Sequence, residues 1–192
     1  MRPSRAKETD SLMARHGNSR TLAPRPSVPN PRPHLLNAVL SFVLAARSTP
    51  GVVRIALLGS LATDKPVPKD AGVLVTIDAA MDLDPLARLG RRLQGTAQTI
   101  NLGADIFLAN AAGRYLGRTC HYRECHPRVA CRAFSCGLRQ HLNDDLQVVT
   151  LSSAIIGAPP IDLWPRIVAR CAVPADTHAL LVAKLDDEPC NT

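Results

Sequence analysis

The sequence has few aromatic residues: one Trp, two Tyr and three Phe among 192 residues. A core built from it must rest on Leu, Val, Ile and Ala. No apolar run approaches the roughly 18–20 residues that a membrane-spanning helix needs. The longest, over 155–161, is interrupted by Gly and Pro. There is no Walker loop, no dinucleotide fingerprint and no Ser-His-Asp order, so P-loop, nicotinamide and serine-hydrolase chemistry are not indicated. The first residues carry charge but no apolar stretch of the secretory kind. A cytoplasmic, reducing compartment is therefore the expectation, and there clustered Cys serve as metal ligands or free thiols rather than disulfides.

What is present divides unevenly. Residues 1–33 hold seven Arg and Lys against two acids and contain six prolines. The other 159 residues balance sixteen basic against fourteen acidic side chains, so the net charge of +7 belongs mostly to the tail. Such a segment buries too little apolar surface to offset its ordering entropy and is expected to be disordered. It can touch polyanions weakly and without sequence preference. From His34 to Arg47, Leu35, Val39, Phe42, Val43 and Ala46 recur at helical spacing, and Ser48-Thr49-Pro50-Gly51 ends that helix.

Val52–Leu58 is a compact run suited to a buried strand. Val73–Ile77 predicts a second strand. A helix through Pro85, Leu86, Leu89 and Leu93 starts at Asp82 or Asp84 and stops at Gly95. Asp105–Ala109 predicts a third strand and Tyr115-Leu116 a fourth. Leu146–Leu151 reads as a further strand, Ile161–Ala172 as a last short helix, and the chain frays after about 185. The expected fold class is α/β, a mixed α+β sheet flanked by helices. Its parts are a tail (1–33), a core (34–116), a Cys/His-rich appendage (117–141), a strand and helix packing on the core (142–185), and a frayed end (186–192).

The chemistry concentrates at the end of the first strand. Ala56-Leu57-Leu58 leads into Gly59-Ser60, where glycine permits close backbone approach and the Ser hydroxyl can hold a phosphate oxygen. With nine residues between, Ser60 is followed by Asp70, Ala71 and Gly72, then Val73-Leu74-Val75. Asp105 lies within Gly103-Ala104-Asp105-Ile106-Phe107-Leu108. This pattern resembles the DNA polymerase β-like nucleotidyltransferase superfamily, in which Gly-Ser is followed by an acid-apolar-acid triplet entering a strand, with a third acid on a neighbouring strand. The resemblance covers about 35–116. It implies a nucleoside triphosphate substrate, two Mg²⁺ ions held by carboxylates, and transfer of a nucleotidyl group to a hydroxyl of a protein, small molecule or RNA end.

Two acids at i and i+2 share a strand face and can hold two Mg²⁺ that clamp the attacking and leaving oxygens. Asp70 and Asp105 match the first and third acids, as metal ligands and catalytic groups, and Gly59 and Ser60 match the nucleotide-binding turn. The second acid is replaced by Gly72. Asp78 shares the face but lies about 20 Å along a strand rising roughly 3.3 Å per residue; Asp64 lies in the loop. The resemblance with Gly72 implies an impaired transferase; the alternative is a non-catalytic nucleotide-binding or interaction module.

Cys120, Cys125, Cys131 and Cys136 are spaced C-x4-C-x5-C-x4-C, with His121, His126 and His141 among or beside them. Four thiolates so placed can surround one structural Zn²⁺, or a His can replace one of them. The competing reading makes these Cys small buried hydrophobes. Arg118, Arg123, Arg128, Arg132 and Arg139 run through the segment, suited to a solvated basic surface or phosphate contact. Asp144-Asp145 reads as a turn or cap, and Trp164 among prolines as a packing anchor.

Overall fold

A computed structural model describes residues 30–123 and 138–187. The chain enters β1 (Val52–Leu58) through Gly51 at φ 87° and leaves it through Gly59 at φ 72°. These are left-handed conformations that favour glycine, and they bound the strand where the apolar run ends. Preceding it, α1 (Arg32–Ala46) buries Leu35, Leu36, Val39, Phe42, Val43 and Ala46. Full burial of each large side chain among these contributes about 1.5–3 kcal/mol.

After a single tight turn at Gly59–Ala62, β2 (Asp70–Ile77) runs antiparallel to β1, with Leu58 opposite Gly72. α2 (Asp84–Gln98) then crosses to β3 (Gly103–Asn110), which is parallel to β2 and sets Asp105 opposite Gly72. Asp82 Oδ1 accepts the Asp84 N–H at 3.0 Å where α2 begins. β4 (Tyr115–Thr119) and β5 (Leu142–Asn143) extend one edge. On the other edge, β6 (Ile161–Trp164) pairs antiparallel with β1 and carries β7 (Val168–Ala169). The sheet order is β5-β4-β3-β2-β1-β6-β7.

The two faces of the sheet are covered unequally. One packs against α1, α2 and a C-terminal helical run in which α4 (Ala175–Thr177) passes through a wider turn (His178–Val182) into α5 (Ala183–Asp186). Ile55, Leu57, Val73 and Val75 point that way. The opposite face holds a small cluster of Ala56, Leu58, Leu74, Ala109, Tyr115 and Ile156, the last from the five-residue α3 (Ser153–Gly157). A face covered by so short an element leaves room for a cleft.

Several expectations are corrected. Disorder up to residue 33 fails at its end, because α1 starts at Arg32, whose side chain is buried; residues 1–29 lie outside the described residues. α2 continues three residues past Gly95, where nothing crowds the glycine and buried Ala97 extends the packed face. No strand forms over 146–151, which is turn and coil before Ser152 caps α3 by accepting the Ile155 N–H at 3.4 Å. The helix expected over Ile161–Ala172 is instead β6 and β7. There Ile161 and Leu163 bury on one face and Asp162 on the other, a period of two that only pairing with the free edge of β1 makes useful. Helical turns after residue 174, with Leu181 and Leu185 buried, were not foreseen. Cys125, Cys131, Cys136 and His126 lie outside the described residues. No helix among the described residues is long and apolar enough to cross a membrane.

Candidate functional site

On the thinly covered face, at the C-terminal end of β1, a cavity of about 290 Å³ is lined by Leu58, Gly59, Asp70, Gly72, Asp105, Phe107, Leu151, Ile155 and Pro160. That is the small end of the range for ligand pockets, roughly 300–1,000 Å³. The strand register gathers these residues. Asp105 stands opposite Gly72, two residues along β2 from Asp70, so the two Asp Cα atoms are roughly 8 Å apart given strands about 4.8 Å apart and 3.3 Å per residue. A larger depression of about 610 Å³, lined by Asp84, Arg88, Arg91, Arg92 and Arg123, lies along α2. It has neither the glycine turn nor convergent acids.

Gly59 requires glycine for its φ, not for crowding: a Cβ there would meet nothing within 4 Å. Ser60 sits one position behind the cavity lining. Its hydroxyl is buried and makes no hydrogen bond among the described residues. Its carbonyl accepts from Arg32 Nη1 at 3.0 Å. The same guanidinium donates to Thr63 O at 3.0 Å and Lys65 O at 2.8 Å, and grips Asp176 with Nε at 2.6 Å and Nη2 at 3.0 Å. Thr177 Oγ1 accepts from Arg32 at 3.1 Å and donates to Leu61 O at 2.8 Å. One arginine, assigned to the tail by composition, thus ties the Gly-Ser turn to α1 and to the C-terminal helices. Arg32 holds the Asp176 carboxyl below its ordinary pKa, against the opposing effect of partial burial.

Asp70 is exposed, and among the described residues its carboxylate has no hydrogen bond or ion pair. Asp105 is different. His121 Nε2, 3.6 Å from its Oδ1, and Arg118 Nη1, donating to that oxygen at 3.0 Å, outweigh partial burial and hold the carboxyl below the usual carboxylate range. Arg118 is the closer partner. It reaches Asp105 because β4 pairs with β3 and places Arg118 opposite Phe107. Neither side chain stands out for this cleft in the sequence: Arg118 belongs there to a basic surface and His121 to the cysteines. Their spacing of thirteen and sixteen residues from Asp105 carries no local signal of a β-hairpin contact.

Magnesium chemistry of the two-metal kind does not fit this donor set. Gly72 supplies no carboxylate opposite Asp105, Oδ1 of Asp105 is already engaged by Arg118 with His121 Nε2 3.6 Å away, and no three His, Cys, Asp or Glu side chains converge among the described residues. For zinc, Cys120 alone of the four cysteines is described; it is buried, and its N–H donates to His141 O at 2.8 Å. His141 itself is buried, with Nε2 3.2 Å from Asp84 Oδ1.

No family model, curated protein or solved structure matches this chain.

Proposed function

We propose that the cleft at the end of β1 is a nucleotide-binding site of the nucleotidyltransferase kind, taking a nucleoside triphosphate, with transfer to a hydroxyl acceptor impaired by Gly72. The observation that carries this reading is the convergence of Gly59, Asp70, Gly72 and Asp105 on one cavity from three strand ends far apart in sequence. The apolar wall of Leu58, Phe107, Leu151, Ile155 and Pro160 suits the flat, weakly polar faces of a nucleobase. The Gly59 turn, held from behind by Arg32, suits the phosphates at the cleft mouth. Asp70, exposed at the start of β2, is the carboxylate free to accept an acceptor hydroxyl's proton.

A second reading, a non-catalytic nucleotide-binding module, is favoured by the engagement of Asp105 with Arg118 and His121. Incubating the protein with labelled nucleoside triphosphates and candidate hydroxyl acceptors separates the two. Label transfer by wild type that disappears in Asp70→Ala supports the enzyme. Binding without transfer supports the module, and transfer gained by Gly72→Asp identifies the missing acid as the cause. A protein that neither binds nor transfers any nucleotide overturns both. The substitution has room: a Cβ at Gly72 would lie 3.4 Å from Phe107 and 3.5 Å from Leu58, ordinary contact distances.

A separate proposal, resting on spacing alone, is that Cys120, Cys125, Cys131 and Cys136 hold one structural Zn²⁺ that staples 117–141 to the core. Elemental analysis of untagged protein then finds about one zinc per chain, released by Ser at Cys125 and Cys131. Metal-free protein of equal protease resistance refutes it.

A further inference from the structure

We infer that Arg118, anchored on Asp105, and His121 beside it form a subsite that takes the nucleotide's phosphates directly, so that nucleotide binding in this cleft does not require a divalent metal. The inference rests on the nucleotide-binding reading above and goes beyond it in naming side chains that hold the phosphates alongside the Gly59 turn.

The argument begins with charge. A cleft with three carboxylates repels a triphosphate, and bound divalent cations must bridge the two. Here that repulsion is largely gone. Gly72 removes the carboxylate that would stand opposite Asp105. Asp105 remains, but Arg118 donates to its Oδ1 at 3.0 Å and His121 Nε2 stands 3.6 Å from the same atom. Asp70 alone lacks a protein cation among the described residues. A fixed cation is therefore supplied by a side chain, Arg118, at the place where a metal-dependent site would supply ions.

Geometry supports the same assignment. Asp105 and Phe107 line the cavity; Arg118 lies opposite Phe107 in the sheet and bonds Asp105 Oδ1, with His121 Nε2 3.6 Å from the same atom, so both stand next to the lining rather than in it. The Arg118 side chain is only 17% exposed, so its orientation is held by packing as well as by the carboxylate. The Asp105 contact uses one Nη1 hydrogen; among the described residues no other bond of the Arg118 side chain is formed. The rest of its planar fork is free for bidentate contact with phosphate oxygens, for which arginine is better shaped than lysine. The carboxylate thus acts as a positioning group for Arg118.

Two probes test this on the full chain: inorganic tripolyphosphate, and an ATP analogue with a non-hydrolysable imido bridge. Binding of each is measured by calorimetry, once with Mg²⁺ and once with EDTA. For wild type the two conditions should agree within about twofold. Arg118→Met should weaken binding in EDTA by about ten- to a hundredfold, the value of losing charge-assisted hydrogen bonds. Arg118→Lys should recover part of that loss, and His121→Gln, a substitution at a partly exposed ring, should weaken binding without touching the fold. Gly72→Asp should convert the site to metal dependence, EDTA now costing at least about tenfold. Wild-type binding that vanishes in EDTA while Arg118→Met binds the Mg²⁺ complex normally overturns the inference and leaves the nucleotide-binding reading standing. Absence of binding by every form in both conditions overturns both.

Discussion

Replacing Arg32 with Met removes one side chain and detaches three parts of the molecule from each other. Arg32 is 4% exposed and donates to the carbonyls of Ser60, Thr63 and Lys65, to Asp176 through two nitrogens, and to Thr177. Met fills much of the same volume, so the change is chiefly electrostatic. Removing one partner of a buried charge pair costs about 3–5 kcal/mol, because the other is left uncompensated. The Asp176 side chain is 29% exposed and recovers part of its hydration, which argues for the lower end, about 3 kcal/mol. With a urea slope near 2 kcal/mol/M, the unfolding midpoint should fall by about 1.5 M. The double substitution with Asp176→Ala should cost far less than the two single losses added, because each abolishes the same pair. Binding at the proposed nucleotide site should weaken as well, since Ser60 and Thr63 lose their anchor. A midpoint within about 0.3 M of wild type, or full additivity in the double variant, refutes the view that this arginine organises the Gly-Ser turn.

The acid side of the stability curve follows from the same contact. Asp176, Asp105 and Asp84 all have carboxyl pKa values lowered in the folded state, by Arg32, by His121 and Arg118, and by Arg88 respectively. Their stabilisation is therefore complete above the unfolded pKa of about 3.9 and is lost as pH falls from about 5 through the lowered folded values. Asp176→Asn should be less stable than wild type at pH 7 and lose less on going to pH 3, read from urea midpoints; parallel curves contradict this. Tyr115, with a hydroxyl buried near the cleft face and making no hydrogen bond among the described residues, is pushed up to about 12 by burial. Tyr115→Phe should leave stability unchanged or raise it by up to about 1 kcal/mol, since it removes an unmet desolvation cost. The ultraviolet titration should lose its component near pH 12. A loss of 2 kcal/mol or more would reveal a hydrogen bond to that hydroxyl.

Elements with a strong local signal were legible. β1 matches its expected bounds because Val, Ile and Leu, interrupted only by Arg54 and Ala56, fill the stretch between two glycines, and α1 matches within two residues because its apolar positions repeat at helical spacing. β2 was placed three residues too late: Lys69-Asp70-Ala71-Gly72 is polar and small, and only pairing with β1 and β3 extends the strand through it. The 161–172 stretch was misread because Asp162 and Pro165 look like the start of a helix. In the fold Asp162 instead takes Arg54 Nε at 2.5 Å and Arg170 Nη1 at 2.7 Å across the sheet edge.

For the cleft, local spacing drew attention to Gly59, Asp70, Gly72 and Asp105, and the fold brings all four to one cavity, because the turn and the acid spacing are properties of a few neighbouring residues. Sequence by itself determined the apolar segments and the glycine hinges. Only the tertiary structure decided which polar groups meet: Arg32 with Asp176 across 144 positions, and Arg118 and His121 with Asp105 across a hairpin. A charged side chain looks alike in sequence whether it faces water or a buried partner. Its role is set by the strand pairing and packing that bring the opposite charge within about 3 Å, where desolvation makes the contact specific.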